Sequence, residues 1–170
     1  FFFKQKTAYE RVIRAWSSDV CSADLAGVED SSAAIAEAGI RLLVNGAAPL
    51  ESAGARVWLA GLDDLLRGKP DLQKTLAPVP CGEVAILLAH EPDPGAALPH
   101  DPRIPVQLSG HTHAGQVRIG VERFFLPRGG ARFVHGDYAL PHRLVSVCGG
   151  LGTAALPVRI NCAPDRKSVV

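Results

Sequence analysis

The chain has 170 residues, 47% of them hydrophobic, with 18 Lys and Arg against 17 Asp and Glu. This balance, without a basic run to track a phosphate backbone, removes the electrostatic basis for a nucleic-acid surface, and no apolar stretch reaches the roughly 18 to 20 residues that span a bilayer. Enough apolar side chains remain to bury a core, which places the chain among globular domains or parts of one.

In chain order, the first 25 residues show no period of 2 or 3.6 and put three phenylalanines at the terminus, whereas Ala, Leu and Val dominate after Leu25. They lack the charged, apolar and small-residue series of a secretory signal. Residues 1–25 and the closing 165–170 resemble translated sequencing-adapter runs, so neither end is expected to be native and both are set apart from the fold. The body is then residues 26–164.

Within it, Val28, Ala34, Ile35 and Ala38, with Asp30 or Ser31 to cap and Gly39 to stop, predict a short helix over 28–38. A strand over 40–44, a turn at Asn45-Gly46 and a strand over 56–61 follow. Asp63 and Asp64 fall in a loop, where a solvated turn is the plainer role and lining a site mouth the sharper one. A brief helix is predicted over 71–77. Residues 83–89, EVAILLA, are too short for a helix of that hydrophobicity and predict a central strand buried on both faces. The proline-dense 92–105 reads as a surface loop, and further strands are predicted over 106–109, 116–119, 123–126, 143–148 and 158–161. Strands and helices alternating early, with strands dominating late, point to a layered α/β sandwich.

The four cysteines, Cys21, Cys81, Cys148 and Cys162, have no metal or redox spacing and are expected to be thiols, mostly buried, in preference to a Cys148 to Cys162 bridge. His111 and His113, framed as Gly110-His111-Thr112-His113-Ala114-Gly115, follow an apolar strand directly. If that segment stays extended, both imidazoles fall on one side, where they can bind divalent cations. His90 ends the buried strand in the same manner, so adjacent strand ends would deliver three imidazoles to one crevice, where α/β folds place their ligands. For His90 alone, a hydrogen-bonded histidine at a strand end is the plain alternative. His100, His135 and His142 sit in polar or proline-containing segments and are expected at the surface. Gly149-Gly150-Leu151-Gly152 lacks a following helix and a P-loop lysine, so it reads as a tight turn, and Arg159 is expected to pair with Asp165 in preference to a phosphate.

At these residues the chain resembles a known family. Leu87-Leu88-Ala89-His90-Glu91-Pro92-Asp93, then Ser109-Gly110-His111-Thr112-His113-Ala114-Gly115-Gln116, then Gly150-Leu151-Gly152-Thr153 with Leu156-Pro157-Val158-Arg159, look like the closing motifs of calcineurin-like metallophosphoesterases, in the bacterial branch of YkuE-type phosphoesterases. The resemblance covers residues 26–164. It implies the C-terminal half of a layered α-β-β-α sandwich and a hydrolase of phosphate mono- or diesters with two divalent metal ions, whether Mn, Fe, Zn or Mg. His90 and His111 would bind one metal of a binuclear centre and His113 the other. The family's earlier D-x-H, G-D-x-x-D and G-N-H-D or G-N-H-E motifs, with their bridging Asp and assisting His, do not occur, so no catalytic residue is assigned here.

Three histidines without carboxylates are poorly suited to hold two cations together, so the chain is expected to bind metal weakly and to show little activity alone. The substrate class implied is a phosphorylated small molecule or a phospholipid, in a cytoplasmic or membrane-associated bacterial protein. The alternative is a non-catalytic domain that uses His90, His111 and His113 as a single three-His metal site.

Overall fold

The computed structural model describes residues 36–37, 39, 41–52, 54–154 and 156–165. Of the helix predicted over 28–38 only Ala36 and Glu37 fall among them, both helical; the remainder of it, residues 1–25 and residues 166–170 lie outside.

Two hairpins flank a parallel centre. Strand β1 (Gly46–Ser52) pairs antiparallel with β2 (Ala55–Gly61), Ala48 opposite Leu59 and Glu51 opposite Arg56. After helix α1 (Leu72–Leu76) comes β3 (Ala85–Leu88), and after helix α2 (Pro92–Ala96) comes β4 (Val106–Ser109). A 3-10 turn, η1 (His113–Gly115), leads into a separate hairpin, β5 (Val117–Ile119) with β6 (Glu122–Phe124). The chain then returns through β7 (Gly136–Ala139) and β8 (Leu144–Val147), giving a six-stranded sheet in the order β1-β2-β3-β4-β8-β7. Strands β2, β3, β4 and β8 are parallel neighbours, and β7 joins β8 antiparallel.

The predicted strand over 83–89 is β3, in the interior of the sheet as its apolar run requires, with Ala85, Leu87 and Leu88 buried. Burying a side chain such as Leu87 contributes about 1.5–3 kcal/mol before the entropy of ordering it is counted. One apolar cluster gathers Ala60, Leu62, Leu76, Val79, Leu87 and Ile104 on the α1 side; a second gathers Phe133, Val145 and Val147. Helix α1 starts where Asp71 accepts a hydrogen bond from the Lys74 N–H at 2.9 Å, a side-chain cap worth about 1 kcal/mol.

Several elements differ from expectation, β7 among them, since no strand is predicted over 136–139. No strand forms over the described residues 41–44, and Asn45-Gly46 does not turn a hairpin: Asn45, at φ 49°, instead opens β1 and ties the next loop through its side chain to Asp63 N, Asp71 N and Lys69 O. Pro49 disguises β1, yet a proline is tolerated there because β1 is an edge strand. The 92–105 loop contains a helical turn, α2, since Pro92 at its first position lacks only an N–H that a helix start leaves unpaired. Residues 158–161 form no strand; Ile160 alone bridges to Val117.

Candidate metal centre

Parallel strands end on the same side of a sheet. Beyond β2, β3, β4 and β8 that common edge carries Asp63-Asp64, His90-Glu91, His111-Thr112-His113 and Gly149-Gly150 in turn. Hydrogen bonding continues past the strands: Ala89 N donates to Leu108 O, Gly110 N to His90 O and Cys148 N to Ser109 O. Below the lip, Gln107 and Ser109 are fully buried: Ser109 Oγ donates to Ala89 O at 2.7 Å and Gln107 Nε2 to Ser109 Oγ at 2.9 Å, while Gln107 Oε1 has no hydrogen-bond partner.

His90 and His111 come together as expected. Their rings meet edge to face with centroids 4.8 Å apart, and one ligand atom from each, with one from the Glu91 carboxylate, lies within 4.8 Å of the others. His111 Nε2 lies 2.9 Å from Arg128 O; since a carbonyl only accepts, Nε2 carries a proton, and the lone pair of the corresponding neutral tautomer is on Nδ1. That Nδ1 is buried without a hydrogen-bond partner. An imidazole whose second nitrogen donates to a backbone carbonyl is the pattern of a metal-binding histidine, so the donor set fits a divalent cation.

Burial, reinforced by the charge His111 would carry, pushes His90 down to about 3, so it is neutral across the physiological range. Burial likewise raises Glu91 to about 7, against the Leu65 N–H that its carboxylate accepts at 3.1 Å.

His113 turns elsewhere. The chain does not stay extended after β4: His111 has φ 68°, His113 φ 48° and Ala114 φ 56°. Left-handed geometry at successive non-glycine residues costs on the order of 1 kcal/mol each and sends the two rings to different partners. His113 Nδ1 faces Gly152 O at 3.4 Å, and His113 is not part of the His90, Glu91 and His111 group. Thr112 between them is fully buried, donates from Oγ1 to Val134 O at 2.6 Å and accepts from Ala114 N, which locks the turn. Gly130 leaves room for this: a Cβ there would lie 2.6 Å from Thr112 Cγ2.

Reading the residues singly passes over Glu91. Glu91 follows His90 directly, and its position at a buried strand end was the available signal. Asp64 takes the turn role weighed for it, Oδ1 accepting from Leu66 N at 2.8 Å, and its carboxylate also interacts with Glu91. Burial alone would raise its pKa, but the N–H groups of Arg67 and Leu66 hold it below the usual carboxylate value.

Arg159 does not pair with Asp165, which instead accepts from His135 Nε2 at 3.0 Å and Gly149 N at 3.1 Å. Arg159 donates to the carbonyls of Gly149, Gly150 and Gly152. The glycine loop thus turns oxygens inward, the wrong polarity for a phosphate. His100, His135 and His142 are exposed as expected, the first and last stacked at 4.4 Å. Among the described residues the cysteines are thiols, Cys148 and Cys162 buried and Cys81 exposed.

Comparison with known proteins gives a consistent picture. The chain is 36% identical over 113 residues to the uncharacterized metallophosphoesterase YkuE of Bacillus subtilis, a match over 66% of this chain and 39% of that protein. It is 32% identical over 132 residues to the phosphodiesterase YaeI of Escherichia coli, covering 75% and 46%. A transmembrane protein with metallophosphoesterase domain from Danio rerio is 36% identical over 123 residues, 67% of this chain and 28% of its own length. The chain therefore spans less than half the length of these curated relatives. No family profile matches the chain, and no solved structure matches it at a significant level. Among the described residues no helix is long and apolar enough to cross a membrane.

Proposed function

We propose that this chain, which belongs to the calcineurin-like metallophosphoesterase family, contributes the histidine ligands of a binuclear, metal-dependent hydrolase of phosphate mono- or diesters. The observation that carries the reading is His111: its Nε2–H is spent on Arg128 O, its Nδ1 is buried without a partner, and His90 stands 4.8 Å away from the end of the adjacent strand. His90 and His111 would hold one cation and His113 the second. Divalent cations at such a centre offset the negative charge that develops on a phosphoryl group and lower the pKa of bound water.

The chain's own residues prepare the site. Burial keeps His90 neutral and therefore able to ligate. Arg128 O and Thr112 fix the first half of the turn, and Glu91 places a carboxyl oxygen beside the histidines. Carboxylates that keep two cations together would come from a segment outside residues 26–164, which makes the isolated chain weak in metal binding and poor in turnover. The presence of Glu91 in the group favours this ligand set over a three-His site, because it puts a carboxylate where the alternative has none.

Translating the genomic sequence upstream of Ala26 is the first test: an in-frame D-x-H, G-D-x-x-D and G-N-H-D series supports the reading, and a genuine native sequence over 1–25 without those motifs removes it. The second is hydrolysis of p-nitrophenyl phosphate and its bis ester with Mn2+. A longer protein carrying those motifs should turn over and lose at least roughly a hundredfold on His111→Ala; robust turnover by the 170-residue chain alone would contradict the division of ligands proposed here.

A further inference from the structure

We infer that Arg159 is a positioning residue for His113, holding that ring where a cation can reach it; this rests on the reading of His113 as a metal ligand. Arg159 Nη2 donates to Gly149 O at 2.7 Å, Gly150 O at 3.0 Å and Gly152 O at 2.6 Å, while Nε donates to Gly152 O at 2.8 Å. Nη1 reaches His113 O at 3.3 Å and Cys162 Sγ at 3.5 Å. Nη2 also lies 3.4 Å from His113 Nδ1, the nitrogen that faces Gly152 O at the same distance. One planar group thus grips both the backbone of His113 and the carbonyl against its ring.

Lysine has a single nitrogen and cannot span this arrangement, whereas the guanidinium fork can. The demand for such a grip comes from the backbone. His113 and Ala114 occupy the left-handed region, at φ 48° and 56°, without being glycine, so contacts outside the turn must keep them there. Three side chains do: Cys162 Sγ donates to His113 O at 3.3 Å, Arg159 shares that acceptor, and Arg118 Nε donates to Ala114 O at 2.8 Å. The glycine loop can come close because it lacks a side chain; a Cβ at Gly149 would lie 3.0 Å from Ala114 Cβ. The carbonyl dipoles around the guanidinium offset its charge, so the arginine acts as a tether and leaves no N–H group directed at a substrate phosphate.

The experiment uses the whole chain as parent, Arg159→Gln and Arg159→Lys, labelled with 15N-histidine and assigned by single His→Gln variants. Without metal, His113 should give one sharp ring signal in the parent and a broadened or divided one in Arg159→Gln, with Arg159→Lys between them. On titration with Zn2+, His113 in Arg159→Gln should need roughly tenfold more metal than in the parent, while His90 and His111 respond as before. In Arg159→Ala, millimolar guanidinium ion should restore the sharp His113 signal. Unchanged His113 signals in Arg159→Gln, or equal loss at all three histidines, overturn the inference. Failure of all three parent histidines to respond to Zn2+ would instead count against the metal reading, and the metal-free His113 signal would still decide whether Arg159 positions the ring.

Discussion

The strand-end lip and the β5–β6 hairpin are only a few residues apart in the chain, yet they are built on opposite terms. The lip buries polar groups, Glu91, Gln107, Ser109 and Thr112 among them, over a dense apolar cluster. The hairpin leaves apolar groups in solvent, Ile119 at 62% exposure and Val121 at 93%. Burial makes each lip residue costly to change and makes Glu91 sensitive to pH, while exposure makes the Ile119 and Val121 positions tolerant of substitution. The stability of the fold therefore resides where the site is built.

The sharpest way to break this comparison is a cavity beneath the lip. Leu87→Ala should cost about 4 kcal/mol, read as a lowered urea midpoint at unchanged slope; a loss under about 1 kcal/mol would mean that β3 is not the centre of the core.

Glu91 gives the next effect, on the order of 3 kcal/mol over its full span. An ordinary carboxyl in the unfolded chain ionises near 4.5, but the buried one does so only near 7, so ionisation favours unfolding. Its contribution is present below pH 4.5 and is lost as pH rises toward 7. His90 works in the other direction: held down to about 3 from 6.5, it contributes above 6.5 and loses that contribution as pH falls toward 3. In the metal-free parent the two oppose each other between 4.5 and 6.5. Glu91→Gln should leave the His90 limb alone, so that stability climbs through this window; parallel profiles for parent and variant would show that Glu91 is not held neutral by burial.

Asp93 comes third. Its carboxylate accepts from Ala131 N, Arg132 N and Phe133 N at 2.9–3.0 Å and so braces the segment whose Arg128 carbonyl holds His111. Asp93→Ala should cost about 1–2 kcal/mol and raise amide exchange over residues 128–133 before it affects β4. The smallest effect sharpens the contrast. Val121→Ser at the hairpin turn should change stability by less than about 0.5 kcal/mol, and a larger loss would show that the hairpin is covered in solution.

Much of the architecture was legible wherever a local pattern had a single cause. EVAILLA could be only an interior strand, and the glycine-framed His111 and His113 after an apolar strand marked the lip. Strand β1 was not legible, because Asn45-Gly46 and Pro49 are turn signals in isolation and only the edge position makes them compatible with a strand. Helix α2 was hidden for a related reason: two prolines and a glycine have poor helical propensity, and the turn is held by Asp93 and by Arg143, which donates to Gly95, Leu98 and Pro99 carbonyls.

His90 and His111 as neighbours were expected from the sequence, since each follows a strand and neighbouring parallel strands end on the same side of a sheet. That His113 would part from them, that Glu91 would join them and that Arg159 would serve the glycine loop were decided only by tertiary structure. Each depends on a backbone torsion or on a contact between residues as much as 46 positions apart, and neither periodicity nor spacing along the chain encodes a direction in space once the strand has ended.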